Sequence, residues 1–479
     1  MTEGGRGSGP ASPSRAAFLS FVLPGLGQVA LGSFRRGLIL GIPILVTLGA
    51  AAFFILADHA DLISGLFDPR VILALVVLDG LLGLLHLIAI GDAYWLARRR
   101  VLESAWTRRT GSPNLLVGLI VVTLVVHGGI GAIGVEAYDS FTSVFTSPAT
   151  GYTIPAANFG PGATPAPGAT PFSVSAFPGP AWAADGRLNI LLIGGDAGPG
   201  RWSLRTDTMI VMSADVATHQ VALFGIPRNL VGVPLAPEDA NAFPGGKYPD
   251  LLNSLWVYAD QHPDQFAGDD TTRGFRAITG AVQQLIGVPL DGAVVVNLNG
   301  FVDVVDALGG LWVNVPYPIH DDAYPLENGT GDVVLNIKAG CQHLDGHLTL
   351  AFARSRHQDS DYFRMGRQQL VLQDLARQLD PISLIMQVPS LLKIAGDNFR
   401  TTFQPQDMGL LLRFAADVDR THLAEIMFVP PDYQEFLTKS EIKAIQKVVR
   451  NVFTTTGAAA SSAPTASPAP GPTAKSCPP

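Results

Sequence analysis

The sequence predicts an α/β domain carried behind a helical membrane region. Three observations point there. The first 135 residues hold long apolar runs, and residues from about 187 to 453 alternate short apolar, strand-like runs with segments that are apolar at helical spacing. Two stretches rich in Pro, Gly, Ala and Thr bracket that second part. The 479 residues are 47% hydrophobic and 15% charged, against roughly 25% charged in an ordinary soluble protein. The formal net charge of −8 argues against a general nucleic-acid-binding surface, which is basic.

In chain order, residues 1–16 come first, followed by a membrane region at 17–135. Its stretches at about 37–57, 71–91 and 114–135 are long and apolar enough to cross roughly 30 Å of hydrocarbon as helices. A shorter run at 17–32 contains Pro24-Gly25-Leu26-Gly27-Gln28, which breaks a straight helix. It reads as re-entrant or interfacial, with a short span as the rival. Basic residues orient the spans. Arg98, Arg99, Arg100, Arg108 and Arg109 follow the second full span and Arg35 and Arg36 precede the first, whereas 58–70 carries Asp58, Asp61 and Asp68. Positive loops stay cytoplasmic, so the N-terminus is expected inside a cell membrane crossed several times and the later domain outside it. Asp79 and His86 lie within the second span, and a helix–helix hydrogen bond is the expected role.

Residues 136–186 read as an extended spacer and 454–479 as a disordered tail, because neither stretch has the apolar content for a core. The two cysteines, Cys341 and Cys477, are too few for a disulfide framework. With Cys477 in the tail, the pair is expected not to form, and Cys341 reads as a small buried filler. Between spacer and tail, 188–194, 208–212, 221–224 and 293–296 read as strands, and 275–286, 300–308, 368–379 and 406–416 as helices.

The candidate chemistry recurs next to strands. Asp196 follows the first strand, Asp207 opens the second and Arg228 follows the third; strand ends of open α/β sheets are where ligands usually bind. Two carboxylates without a His/Cys pattern suit a magnesium ion, which takes hard oxygen ligands and substrate phosphate. A dense cluster follows in 353–369, with Arg354, Arg356, Arg364, Arg367, Gln368 and Gln369. An extended segment would turn Arg354 and Arg356 to one side, and a helix would put Arg364 and Arg367 on one face. Guanidinium matches phosphate oxygens in a planar, bidentate way, so the set suits a metal–pyrophosphate site. The plainer readings are that Asp196 is a turn residue, Asp207 a surface partner of Arg205 and Arg228 an exposed turn residue. Arg364 and Arg367 would then form a solvated helix face paired with Asp359 or Asp361. His343, His347 and His357 read as surface or helix-start residues.

In these residues the domain resembles the LytR-CpsA-Psr family of cell-envelope proteins. The resemblance runs through Leu192-Ile193-Gly194-Gly195-Asp196, Arg205-Thr206-Asp207-Thr208-Met209, Ile226-Pro227-Arg228, Leu252-Asn253-Ser254, Gly300-Phe301-Val302, Val305-Asp306-Ala307-Leu308-Gly309-Gly310 and Leu344-Asp345-Gly346, and ends in the arginine cluster through Arg367-Gln368-Gln369. It implies an α/β/α sandwich with a lipid tail in an apolar channel between sheet and helices. The implied activity moves a glycopolymer phosphate from a polyprenyl-pyrophosphate donor to a peptidoglycan hydroxyl, outside the cell. By position, Asp196 and Asp207 would hold Mg²⁺, and Arg228, Arg354, Arg356, Arg364 and Arg367 would contact pyrophosphate beside Gln368. Arg228, Asp361 and Arg364 would form the catalytic group, with Asp361 orienting arginines or assisting the incoming hydroxyl. Two positions depart from the family pattern: Asn229 stands where many members have aspartate after the arginine, and Ala197 where many have arginine. Arg201 is a nearby substitute for the latter. The rival functions are a pyrophosphatase and a non-catalytic lipid-phosphate-binding regulator.

Overall fold

The computed structural model describes residues 12–56, 69–103, 112–144, 186–195, 205–325, 331–379, 398–404, 407, 411, 414–415, 417–418, 423–453 and 477. Asp196, Ala197, Arg201, nearly all of the spacer and tail, and most of the helix expected at 406–416 lie outside these residues. Two compact units divide the chain, one ending at Asp139 and the other beginning at Ser140.

The first unit opens with α1 (Pro13–Val22), which has Pro13 in its first turn and Ser12 as N-cap accepting from the Arg15 amide. The helix stops before Pro24-Gly25, and Gly25 takes φ 91°, which lets the chain reverse into the five-residue α2 (Leu26–Ala30). A Cβ on Gly27 would stand 2.1 Å from the Ala16 carbonyl oxygen, so the glycine permits the hairpin to close. Gln28 then ties this hairpin to its neighbour. It accepts from Ser20 Oγ at 2.8 Å and donates to the Ala89 carbonyl at 2.9 Å and to Asp92 at 3.1 Å. At 1.5 Å rise per residue α1 is about 15 Å long, half the hydrocarbon thickness.

Three further helices, α3 (Phe34–Leu56), α4 (Pro69–Glu103) and α5 (Pro113–Val144), are long and apolar enough to cross a membrane. Their outer faces expose residues such as Ile39, Phe53, Leu81 and Val125, which suits contact with lipid. Asp79 and His86 do bond between helices: Asp79 Oδ1 lies 2.9 Å from His127 Nδ1, and His86 Nε2 lies 2.8 Å from the Phe21 carbonyl oxygen. His127 is the partner that the sequence reading did not name.

The second unit is built on a mixed six-stranded sheet ordered β11-β6-β1-β2-β3-β12, with β1 (Arg187–Gly195), β2 (Thr206–Asp215), β3 (Val221–Gly225), β6 (Gly292–Asn297), β11 (Phe399–Thr401) and β12 (Leu423–Met427). β1 runs antiparallel to β2 and parallel to β6. Strand alternation separates two apolar faces. Leu191, Ile193, Met209 and Val211 pack on one side, with residues of α6 (Leu255–Gln261), α7 (Arg273–Ile286) and α11 (Lys439–Asn451). Ile190, Leu192, Ile210 and Met212 lie on the other, where α8 (Leu298–Ala307), α9 (Gly346–Arg354) and α10 (Asp361–Gln378) follow. α11 is fixed at its start by a capping box between Thr438 and Glu441. The result is the layered α/β/α arrangement expected. Beside it, β7 (Leu311–Val315) pairs with β10 (Gly340–Leu344), and β8 (Ile319–Pro325) pairs with β9 (Asp332–Ile337); a short β4 (Val233–Pro234) with β5 (Lys247–Tyr248) completes the set.

The cysteines correct the sequence reading. Cys341 of β10 and Cys477 of the tail form a disulfide across 136 residues, and no free cysteine remains. Composition around Cys477 gave no sign of this, because the partner is distant and the intervening tail is low in apolar residues. Closing so long a loop restricts the unfolded chain, so Cys341→Ser is expected to lower stability by about 2–4 kcal/mol. Thermal unfolding of the detergent-purified protein measures this. Thiol titration of the unreduced, unfolded wild type should detect no free thiol; a stoichiometric thiol signal would refute the pairing.

Candidate active site

A cavity of about 500 Å³ lies between the second sheet face and the helices α8, α9 and α10. Its walls are apolar, with Leu192, Ile210 and Val294 from the sheet facing Phe301, Leu350, Leu372 and Leu375 from the helices. Among these, Asp207, Arg354, Arg356, His357, Arg364 and Gln368 bring polar groups to the same cavity.

The placement of Asp207 begins with a fault in the sheet. Gly194 pairs with Thr208 and Gly195 with Thr206, so Asp207 is the extra residue of a β-bulge. A bulge leaves one residue outside the ladder and re-aims its side chain. Asp207 Oδ1 accepts from Arg228 Nη1 at 2.6 Å and from Asn253 Nδ2 at 3.2 Å. Asn253 also donates its amide to the Arg228 carbonyl, which fixes the turn that presents Arg228. Burial alone would raise the Asp207 pKa, but Arg228, Arg364 and Asn253 outweigh it and hold the carboxyl below its ordinary value.

Asp361 opens α10, where a carboxylate also suits the positive helix end. It stands among three guanidiniums: Arg228 Nε at 3.1 Å, Arg364 Nη2 at 3.0 Å and Arg356 Nη1 at 3.8 Å. Arg228 is thus bracketed by two carboxylates, Asp207 and Asp361. Asn229, next to it, donates instead to Glu435 at 2.7 Å and Tyr362 at 3.3 Å. The carboxylate absent at 229 is therefore not needed to orient Arg228. Burial pushes the Tyr362 hydroxyl up to about 12, and Glu435 adds to that.

Arg364 is the most exacting member. Its side chain is buried, and Nη2 donates to the Asp207 carbonyl at 2.9 Å and to Asp361 at 3.1 Å. Nε is buried with no hydrogen-bond partner. Burial first, and then repulsion from Arg228 and Arg356, push its pKa down to about 10 against the pull of Asp361 and Asp207. It stays charged at neutral pH and lines the cavity, and a guanidinium there suits an anion.

The remaining residues divide differently from expectation. Arg354 is the last residue of α9 rather than part of an extended segment, and Ser355 after it takes ψ 139°, turning the chain outward to Arg356. Both still line the cavity. Arg354 lies 3.5 Å from the Tyr324 hydroxyl and over that ring; Arg356 is about half exposed. Gln368 lines the cavity and donates to the Ala353 carbonyl at 3.3 Å.

Arg367 requires a correction. It does not line the cavity, and its side chain is 2% exposed. Nε donates to the Phe352 carbonyl at 2.8 Å, Nη1 to the Tyr317 hydroxyl at 2.8 Å and to Asp359, and Nη2 to the Ser355 carbonyl and to Asp359. All five guanidinium N–H groups are engaged within the domain, leaving none for a phosphate. Helical spacing does put Arg364 and Arg367 on one buried side, but they turn to different partners.

Among the described residues no group of three or more His, Cys, Asp or Glu side chains could hold a metal ion, and of the two expected magnesium ligands only Asp207 is described. Among the described residues Asp207 Oδ2 accepts no hydrogen bond while Oδ1 is engaged, so one hard oxygen of an ionised carboxylate is available beside the cavity. Magnesium is commonly held by one or two carboxylates together with substrate phosphate and water. The sequence reading missed Asp321, Ser355 and the placement of His357. The first had a signal: Ile319 and Asp321 share one face of β8, and both are buried.

These roles separate in stability. Arg367→Gln is expected to destabilise by about 3–5 kcal/mol, since it leaves Asp359 and two carbonyls without their buried partner. Arg356→Gln, at a half-exposed position, is expected to stay within about 0.5 kcal/mol. Urea unfolding of both variants checks the contrast, and equal effects would sink it.

The sequence matches the LytR_cpsA_psr family over residues 168–441, more than half of the chain. The polyisoprenyl-teichoic acid–peptidoglycan teichoic acid transferase TagU of Bacillus subtilis is 27% identical over 223 residues, which cover 46% of this chain and 61% of that protein. An uncharacterised protein of Staphylococcus aureus is 29% identical over 218 residues, covering 44% of this chain and 47% of its own length. The match thus spans about half to three-fifths of these relatives. Among solved structures, TagV of B. subtilis overlaps with a TM-score of 0.41 at 22% identity, covering 56% of this chain and 98% of TagV. Protein gbs0355 of Streptococcus agalactiae overlaps with a TM-score of 0.44 at 21% identity, covering 57% and 90%. With the match running from before the first strand into the last helix of the domain, the chain belongs to the LytR_cpsA_psr family.

Proposed function

We propose that this chain is a membrane-anchored, extracytoplasmic phosphotransferase that moves a glycopolymer from a polyprenyl-pyrophosphate carrier to a peptidoglycan hydroxyl. The observation that carries the reading is a largely apolar cavity that Arg354, Arg356 and Arg364 line together. A lipid diphosphate has both parts that such a site accommodates: an apolar chain for the walls and a diphosphate for the arginines. TagU, which shares the family, is named as a transferase of teichoic acid from a polyisoprenyl-linked form to peptidoglycan, which supports the same donor and acceptor classes here.

In this reading Arg354, Arg356 and Arg364 hold the phosphates, whereas Arg228, expected from sequence to contact pyrophosphate, does not line the cavity and instead braces Asp207 and Asp361. Charge that gathers on the leaving phosphate as its bond breaks meets preorganised donors that need no rearrangement. Asp207, with Asp196 as the second carboxylate expected from sequence, would hold a magnesium ion. When bound, the ion would neutralise phosphate oxygens and orient them for in-line displacement. The outward location is supported by the arginines Arg98, Arg99 and Arg100 at the end of α4 and by the disulfide, which persists in oxidising compartments.

The test is transfer from a polyprenyl-pyrophosphoryl saccharide to peptidoglycan fragments by the purified full chain. Arg364→Ala is expected to lower the rate at least about 100-fold, and chelation should abolish a transfer that added magnesium restores. An undiminished rate in Arg364→Ala would sink the site assignment. Release of free saccharide phosphate at the same rate with and without acceptor would identify a hydrolase instead.

A further inference from the structure

Beyond the arginines, the cavity wall carries a second chemical group. We propose that His357, oriented by Asp321, is the general base that takes the proton from the incoming acceptor hydroxyl. This assignment rests on the phosphotransfer reading above and replaces Asp361 as the group that assists the hydroxyl, since Asp361 does not line the cavity and is held by Arg228, Arg356 and Arg364.

The geometry starts from β8. Asp321 is 1% exposed in its side chain. Its Oδ2 accepts from Ser355 Oγ at 2.7 Å, and its Oδ1 accepts from the Ala323 amide at 3.2 Å and from His357 Nδ1. Burial opposes ionisation of this carboxyl, but the His357 and Ser355 hydrogen bonds outweigh it, and the pKa lies below the ordinary value. A buried carboxylate that bonds Nδ1–H selects the tautomer with a lone pair on Nε2. His357 itself is 60% exposed in its side chain and lines the cavity next to Arg356. A polymeric acceptor has to arrive from solvent, and the imidazole stands on the side that solvent reaches.

The other polar groups at this wall do not suit the task. Guanidinium groups have no basic lone pair at neutral pH. Asp207 has its proton affinity lowered by the arginines around it. The charged and titratable groups on the elements flanking His357 are Asp321 beneath it, Arg354, Arg356 and Asp359 on its own segment, the last held by Arg367 and Tyr317, and Tyr324 with the exposed His320–Asp322 pair on β8, whose members lie 2.8 Å apart. Of these, Asp321 is the one bonded to the ring.

The step balances as follows. The acceptor hydroxyl gives its proton to Nε2, and its oxygen bonds to the phosphorus that bears the glycopolymer. The bond from that phosphorus to the bridging oxygen breaks, and polyprenyl phosphate leaves with the electron pair. The imidazolium then returns its proton to water. Asp321 is a positioning residue, acting through the ring.

The experiment compares wild type, His357→Gln and Asp321→Asn as full chains, with a polyprenyl-pyrophosphoryl saccharide donor and peptidoglycan fragments. His357→Gln is expected to lower kcat about 100-fold or more, to leave donor KM within about twofold and to lose the acid limb of the pH profile. Added imidazole should restore part of the rate. Asp321→Asn is expected to lower kcat about 10-fold or more, because the ring loses the acceptor that sets its tautomer. The thermal midpoint and donor affinity of each variant show that the fold is intact. A His357→Gln enzyme with the wild-type kcat and acid limb overturns the proposal while leaving the transfer reading in place. Absence of transfer by the wild type overturns the underlying reading, and the general-base role with it.

Discussion

Arg367 has all five of its N–H groups engaged within its own domain, and the placement of the site follows from that. It grips the carbonyls of Phe352 and Ser355, at the end of α9, together with Asp359 and Tyr317. A guanidinium this deeply buried is costly to desolvate, and only complete pairing offsets the cost. Because pairing is complete, the end of α9 and the loop to α10 have one arrangement. Arg354 and Arg356 reach the cavity from that segment, and Ser355 reaches Asp321 from it. An arginine expected at the substrate is instead the strut that aims the others.

The second constraint is an excess of positive charge. Asp207 and Asp361 share Arg228, Arg356 and Arg364 between them, and Arg354 adds a further cation on the cavity wall. The fold compensates part of this with a β-bulge that turns Asp207 inward and a helix start that presents Asp361. Arg354, Arg356 and Arg364 all line the cavity, so an anion entering it would meet three guanidiniums. Apolar walls sharpen the effect, since charges interact more strongly where water is excluded.

Much of the scaffold was legible from the chain. The runs at 188–194, 208–212, 221–224 and 293–296 all became strands, because apolar alternation is a local property that burial on a sheet preserves. The resemblance of the strand-end motifs and the arginine cluster led to the family. What escaped was pairing at a distance. Arg364 meets Asp207 across 157 positions, Asn229 meets Glu435 across 206 and Cys341 meets Cys477 across 136. Each partner, read alone, looks like an ordinary turn, helix-face or tail residue. The hairpin at Pro24-Gly25-Leu26-Gly27-Gln28 is similar: the glycines announced a break, but Gln28 acquired its role from Ala89 and Asp92.

By itself the sequence determined the order of the elements, the apolar helices that precede the domain, and a cluster of residue types that suit a phosphate-bearing anion. Those follow from composition and periodicity, which each segment carries alone. The tertiary structure decided which arginines face the cavity and which one holds the frame, why Asp207 is aimed inward, and why His357 has a buried carboxylate behind it. Those depend on where distant backbones cross. A guanidinium becomes a ligand-binding group or a strut according to how many acceptors the fold has already placed around it.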